Sequence, residues 1–317
     1  MSVQSMPVAA GRSGQYVLGD RAVNRLGFGG MKLTGPRMMG PPTDRDAALA
    51  VLRRAVELGV DHLDTSDLYG PYVVNGLIRE ALHPYPEDLV IATRVGARRT
   101  ADGAWTPALC PDELRQEVRD NLDHLGLDVL DLVHLRLPGV GEPVDGVLAE
   151  AFEALATLQQ EGLIRHLGVS HVTTRQVAEA RRIAPLVCVH NHYNLIHRED
   201  DPLIDVLARD GIAYTAMEGI SYTTFFPHGG LTPPQSAALE TVARRVQARP
   251  MQVVLAWLLA RSGNLLLIPG TSSVAQLEEN LAAAALELGP FELEELDRIA
   301  GMGEPDPSAD RVSRAGR

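Results

Sequence analysis

Lysine is almost missing from this chain: Lys32 is the only one, and the other 28 basic residues are arginine. Cysteine is nearly as scarce. Cys110 and Cys188 are too few for a disulfide framework or a thiolate metal cluster, and their number suits a reducing compartment. Long hydrophobic runs are missing too. Apolar stretches such as 253–260 fall short of the ~20 residues that a membrane helix needs. The N-terminus lacks the basic-then-apolar order of a secretion signal, so a cytoplasmic location is expected. Nor is there an excess of positive charge. The net charge is -12 with no basic stripe, which argues against nucleic acid or a membrane surface as a partner.

What is present fits a folded domain: 45% hydrophobic and 22% charged residues in a chain of 317. That length suits one barrel of about 250 residues with additions. Residues 1–14 and 305–317 are rich in Gly, Pro, Ser and Arg without periodicity and read as tails, leaving 15–304 as one domain. Inside it, short apolar runs recur at 25–30, 62–66, 89–95, 129–136, 164–170, 186–193, 211–217 and 265–270, each followed by an amphipathic segment. Eight such units predict an α/β fold of the (β/α)8 TIM-barrel type. The helices carry their own punctuation. Thr43 precedes 44–58, Pro111 opens 112–125, Thr173 precedes 174–183, and Gly59, Gly126 and Gly162 end their helices.

In such a barrel, ligands bind where the strands end. The expected strand ends present Asp64, Arg94, Arg136, Ser170 with His171, Tyr193, Met217 with Glu218, and Gly270 with Thr271. Polar groups at the ends of apolar strands need a ligand, solvent or one another to offset their desolvation.

The stretch HLDTSDLYG at 62–70 resembles a signature of the aldo/keto reductases. Further matches keep their order and spacing: RLGFGGM at the first strand, LGLDVLDLV before the fourth, IRHLGVSH at the fifth, CVHNHYNL at the sixth and LLIPGTSSVAQLEEN at the eighth. Together they cover roughly 15–300, and the stretch from Gly40 to Pro71 is similar to the bacterial pyridoxal-reductase-like branch. The resemblance implies reduction of an aldehyde or ketone by NAD(P)H, with NADP(H) favoured over NAD(H). It places the proton-donating tyrosine on Tyr69 and its aspartate on Asp64. The position that it implies for a lysine holds Arg94, and the one for a histidine holds Arg136, with His134 two residues before. Arg136 is suited to bind an anionic substrate group bidentately.

For the cofactor the resemblance implies contacts from Gly29, Met31, Ser170, His171, His190, Met217, Gly270, Thr271, Ser272, Ser273, Gln276, Glu279 and Asn280. Several depart from the usual pattern. Ser170-His171 and His190-Asn191 stand where Ser-Asn and Gln-Asn hold the carboxamide, Met217 replaces a stacking aromatic, and Tyr222 or Phe225 is available as a substitute. Gly270 and Gln276 stand where basic residues grip a 2′-phosphate. The loops at 137–146 and around Phe225 and Phe226 are expected to shape the substrate pocket.

Two other classes of function share these residues. Arg94, Arg136, the histidines and Glu218 also suit redox-neutral proton chemistry (a lyase, dehydratase, isomerase or cyclase) that would need no nicotinamide. A non-catalytic binding or regulatory barrel is the third reading. His190 and His192 share a strand face, as a metal pair would, but the sequence fixes no complete ligand set and no metal site is assigned. The substrate is read as a small carbonyl compound. Oligomeric state is left open.

Overall fold

An antiparallel hairpin, β1 (Gln15–Leu18) and β2 (Arg21–Asn24), opens the fold. The computed structural model describes residues 10–100, 103–138, 146, 148–217 and 230–303. Every apolar run of the sequence pattern becomes a strand: β3 (Phe28–Gly29), β4 (His62–Asp64), β5 (Val90–Val95), then, after a small hairpin of β6 (Ala97–Arg99) and β7 (Trp105–Pro107), β8 (Leu130–Arg136), β9 (Ile164–Ser170), β10 (Leu186–His192), β11 (Ala213–Met217) and β12 (Leu265–Leu267). These eight pair in parallel in the order β3-β4-β5-β8-β9-β10-β11-β12. The circle closes where the Gly27 N–H donates to the Leu267 carbonyl at 2.8 Å and the Leu267 N–H to that of Arg25 at 2.9 Å.

Helices α1 (Arg45–Glu57), α2 (Val73–Leu82), α3 (Pro111–Leu125), α4 (Ala149–Gln160), α5 (Thr174–Ile183) and α6 (Asp201–Arg209) each follow a barrel strand. Helices α7 (Pro233–Arg245) and α8 (Pro250–Arg261) lie between β11 and β12, and α9 (Val274–Ala282) and α10 (Pro290–Asp297) come after β12. Among the described residues no helix is long and apolar enough to cross a membrane. Thr173 caps α5 as its sequence predicts, sharing a reciprocal pair of bonds with Gln176. At α1 the cap is Asp44 rather than Thr43, its carboxylate accepting from the Ala47 N–H at 2.9 Å. The segment read as a tail through residue 14 is anchored from Ala10 on. Ala10–Ser13 form a 3-10 turn because the Ser13 hydroxyl donates to the Ala10 carbonyl and accepts from the Leu26 N–H. The tail expected at 305–317, most of the loop at 137–146, Glu218, Tyr222, Phe225 and Phe226 lie outside the described residues.

Because side chains alternate along a strand, each barrel strand feeds two cores. One set, including Ile91, Val133, Leu135, Leu167, Val169 and Val189, packs against the helices. The other fills the lumen: Val90, Ala92, Leu132, Cys188, Ala213 and Leu266 meet Leu18 and Val23 of the first hairpin. That hairpin sits where the strands begin, its Asn24 N–H donating to the Asp61 carboxylate just before β4. Two residues further along the same lumen columns stand Arg94, His134 and His190, so the apolar filling below supports a polar layer above.

His134 fits into this layer because its neighbour on β9 is Gly168. A Cβ at Gly168 would lie 2.4 Å from the His134 ring and 3.0 Å from the Cys188 carbonyl. Gly168→Ala is therefore expected to destabilise the fold by about 1–3 kcal/mol in denaturant unfolding. The penalty should shrink in a chain that also carries His134→Ala, and equal penalties in both backgrounds would show that this contact is not the cause.

Candidate active site

Asp64 ends β4 and Arg94 lies near the end of β5, so adjacent parallel strands deliver a carboxylate and a guanidinium to one level of the lumen. Arg94 Nη2 donates to Asp64 Oδ1 at 2.5 Å, both side chains being buried. Arg94 Nη1 donates to the Tyr69 hydroxyl. A third contact comes from across the barrel, where His190 Nδ1 accepts from Arg94 Nε at 3.2 Å and lies 2.9 Å from Nη2. The sequence-predicted Asp64, Tyr69 and Arg94 thus meet around one guanidinium, and His190 joins them.

A guanidinium only donates. The Tyr69 oxygen is therefore the acceptor in its bond to Arg94, and its own proton is left to point elsewhere. By the same logic His190 is a neutral imidazole with its proton on Nε2. Burial, reinforced by the positive charge of Arg94, holds it well below the usual histidine range. His134 packs edge-on to His190 with 5.6 Å between ring centroids, and burial followed by Arg94 pushes it down to about 3. Burial raises the Tyr69 phenol above its ordinary value, against the pull of Arg94. Burial works to lower Arg94 as well, but Asp64 and Tyr69 outweigh it and its shift is upward, so the group stays charged.

Arg136 ends β8 and is half-buried, with Nη1 donating to the Leu137 carbonyl at 2.9 Å. Burial and the repulsion of Arg94 bring it down to about 10. Its neighbour in register on β9 is Ser170, and Ser170 in turn sits beside His190 on β10. His171 follows with a left-handed φ of 58°, a strained state for a side chain of this size. Ser170 Oγ, His171 Nε2 and both His134 nitrogens are buried without a hydrogen-bond partner among the described residues. Unpaired buried polar atoms clustered at strand ends fit a polar ligand that would complete them. Burial, then Arg136 and His192, bring His171 down to about 4, so it meets such a ligand as a neutral ring.

A second group of candidate residues lies at β3 and β12. Gly29 and Gly270 touch backbone to backbone: a Cβ on Gly29 would be 2.5 Å from the Ile268 carbonyl oxygen, and one on Gly270 2.5 Å from that of Gly29. Beyond them Thr271 is buried, with Oγ1 2.7 Å from Gln276 Oε1 and accepting from the Ser273 N–H at 3.1 Å. Ser272 and Ser273 are exposed, and Ser273 caps α9. Backbone and hydroxyl groups at a helix start suit phosphate. Met31 is half-buried at the same edge, Asn280 is buried, and Glu279 is paired with Arg249 at 3.9 Å. Met217 ends β11 opposite His192 in register.

A layer that the sequence reading missed lies behind the loop carrying Tyr69. Asn75 of α2 donates to Asp67 at 2.6 Å and to Asn121 of α3 at 2.9 Å, Thr65 lies 2.7 Å from Asn75 Oδ1, and Thr93 donates to Asn121 at 2.6 Å. His124 approaches the Asp67 carboxylate at 3.0 Å. This network ties the loop to the residue preceding Arg94. The available signal was polar residues on apolar helix faces: Asn75 beside Val74 and Ile78, and Asn121 beside Val118 and Leu122. No group of three His, Cys, Asp or Glu able to hold a metal occurs among the described residues.

Comparison with known proteins identifies the family. Residues 25–301 match the aldo/keto reductase family. The chain is 55% identical over 290 residues to pyridoxine 4-dehydrogenase of Escherichia coli (strain K12), covering 91% of this chain and 99% of that protein. It is 37% identical over 295 residues to an uncharacterized oxidoreductase, C215.11c, of Schizosaccharomyces pombe, covering 92% of each. Among solved structures, the thermostable aldo-keto reductase Tm1743 in complex with epalrestat superposes with a TM-score of 0.73 at 26% identity, covering 90% of this chain and 99% of that one. The fold is shared with the glycerol dehydrogenase AKR11B4 of Gluconobacter oxydans, with a TM-score of 0.77 at 22% identity, covering 93% and 98%. The chain is an oxidoreductase belonging to the aldo/keto reductase family.

Proposed function

We propose that this protein interconverts a small aldehyde and its alcohol with NADP(H), Tyr69 serving as the proton donor in the reducing direction. The observation that carries this reading is the Arg94–Tyr69 contact, in which a pure donor occupies the phenol oxygen and frees the phenol proton for an incoming carbonyl. The bound nicotinamide supplies the hydride. Ser170 and His171, with their unpaired polar atoms, are the residues suited to hold its carboxamide, and Gly29, Thr271, Ser272 and Ser273 those suited to its phosphates. Solved relatives described as complexes with NADP and acetate and with NADPH favour the phosphorylated cofactor.

As substrate we infer a hydroxypyridine aldehyde of the pyridoxal type, on the strength of the 55% identity to pyridoxine 4-dehydrogenase. Its chemistry suits the site. In such a compound a phenolate oxygen lies next to the aldehyde. Arg136, half-buried beside Arg94, is a cation placed to take that oxygen while Tyr69 addresses the carbonyl. Asp64 keeps the guanidinium oriented and balances its charge.

Purified protein should oxidise NADPH with pyridoxal and reduce NADP with pyridoxine, followed by absorbance. Tyr69→Phe should lower kcat/KM about 100- to 10,000-fold while leaving cofactor affinity nearly unchanged. A Tyr69→Phe enzyme as fast as wild type would remove the proposed donor.

The pH profile follows from the sign of the shift at Tyr69. Reduction needs the protonated phenol, and burial raises its pKa, so kcat/KM for reduction should stay level to roughly pH 9, a unit short of the ordinary phenol value. It should decline only beyond that, whereas alcohol oxidation, which needs the phenolate, should climb as pH rises. An alkaline decline in reduction centred below about pH 8 would assign the proton to another group.

Arg94→Lys gives a third test. An ammonium offers three donors from one point and does not span Asp64, Tyr69 and His190 as the fork does. The single change should cost about tenfold or more in kcat. Arg94→Lys with His190→Gln should cost less than the product of the two single effects, and strict multiplicativity would show that the two positions are uncoupled.

A further inference from the structure

We propose that Arg99 forms a subsite for an anion carried at the far end of the substrate, a carboxylate or phosphate group remote from the reacting carbonyl, a specificity that rests on the reductase reading above. Arg99 ends β6, in the hairpin that rises directly from the strand bearing Arg94. The root of this hairpin is wedged against β8: a Cβ on Gly96 would lie 2.7 Å from the Arg136 carbonyl oxygen. Its other side meets the loop at 36–40, where Arg99 Nη2 donates to the Arg37 carbonyl at 3.0 Å. That loop is tied in turn to the residue after Tyr69, since the Gly70 N–H donates to the Met38 carbonyl and the Gly40 N–H to that of Gly70, both at 3.1 Å. Arg99 thus stands on the rim among the segments that carry Arg94, Tyr69 and Arg136.

The charge of Arg99 is unanswered within the described residues. Its Nε and Nη1 are buried there without a hydrogen-bond partner, and no described carboxylate forms an ion pair with it. Arg98 next to it shows the ordinary arrangement. Alternation along the strand turns Arg98 to the opposite face of the hairpin, where it pairs with Glu113 at 3.2 Å and Glu117 at 3.5 Å on α3. The Arg99 face carries Trp105 instead, with the guanidinium Cζ 4.9 Å from the ring centroid. Stacking on an aromatic ring fixes the plane of a guanidinium but leaves its in-plane N–H groups without acceptors. Burial lowers the Arg99 pKa. A cation withdrawn from water with idle donors is costly until an anion completes it, and a planar fork already held in orientation suits a carboxylate or a phosphate.

Steady-state reduction of matched aldehydes by the full-length protein with NADPH tests the assignment: succinic semialdehyde against butanal, adipic semialdehyde against hexanal, and azelaic semialdehyde against nonanal. In wild type the acid should be preferred over its neutral partner at the length that spans from Tyr69 to Arg99. The preference in kcat/KM should be about ten- to hundredfold, as expected for one charge-assisted contact, and should lie mainly in KM. Arg99→Gln should abolish this ratio, and Arg99→Lys, which keeps the charge and loses the fork, should retain part of it. A preference that survives Arg99→Gln and disappears in Arg136→Gln overturns the assignment, because the anion is then held at Arg136. Equal losses on both members of every pair in Arg99→Gln also overturn it, since they show Arg99 acting only as the tie to the Arg37 carbonyl. If wild type prefers no acid at any length, this assignment falls and the functional reading stands. If wild type reduces none of these aldehydes and no pyridoxal, the functional reading falls and this assignment with it.

Discussion

A buried guanidinium must be matched donor by donor, and the mouth of this barrel is organised around that demand at Arg94. Removing such a charge from water costs several kcal/mol unless acceptors replace its hydration. Asp64 supplies the countercharge, Tyr69 the second acceptor and His190 the third, each from a different direction. The histidines can stand this close only because they are neutral. His134 and His190 are held far below neutral pH by burial and by Arg94 itself, so the cation enforces the protonation state that its own packing requires.

The local charge runs opposite to that of the molecule. With a net charge of -12 overall, the described residues nevertheless bring Arg94 and Arg136 close together near the buried Asp64. Arg136 is pushed down by burial first and then by the repulsion of Arg94.

Local features were legible in the sequence, and distant pairings were not. Strand Ile164–Ser170 and helix Thr174–Ile183 fall where the apolar run and the Thr173 cap place them, because every determinant is within a few residues. The first strand was read as 25–30 but pairs regularly only over Phe28–Gly29, since Leu26 and Gly27 are spent on closing the barrel against Leu267. Asp64 at the end of β4 and Tyr69 on the loop that follows lie in one short motif and stood out together. Period two put His190 and His192 on one strand face, but no sequence pattern states that the His190 Nδ1 faces Arg94 and not a ligand. Lys32 was conspicuous as the only lysine, yet its position beside Gly270 depends on the circle closing between β3 and β12.

Arg94 and His190 form one unit across the lumen. An arginine where the family resemblance implies lysine brings a wider head with more N–H groups, and a spare donor in a dry lumen is penalised unless something accepts it. An amide at 190 offers one oxygen on a flexible stem, whereas an imidazole presents a fixed, flat acceptor whose ring packs on His134. That packing needs Gly168, because any side chain there would occupy the ring's space. The chain Arg94–His190–His134–Gly168 therefore crosses from β5 over β10 and β8 to β9 with each member fixing the next. The position of the Tyr69 phenol is set by this rigid layer and by the Asn75–Asn121 network behind its loop, which is how a guanidinium can hold that hydroxyl without an ammonium's freedom to adjust.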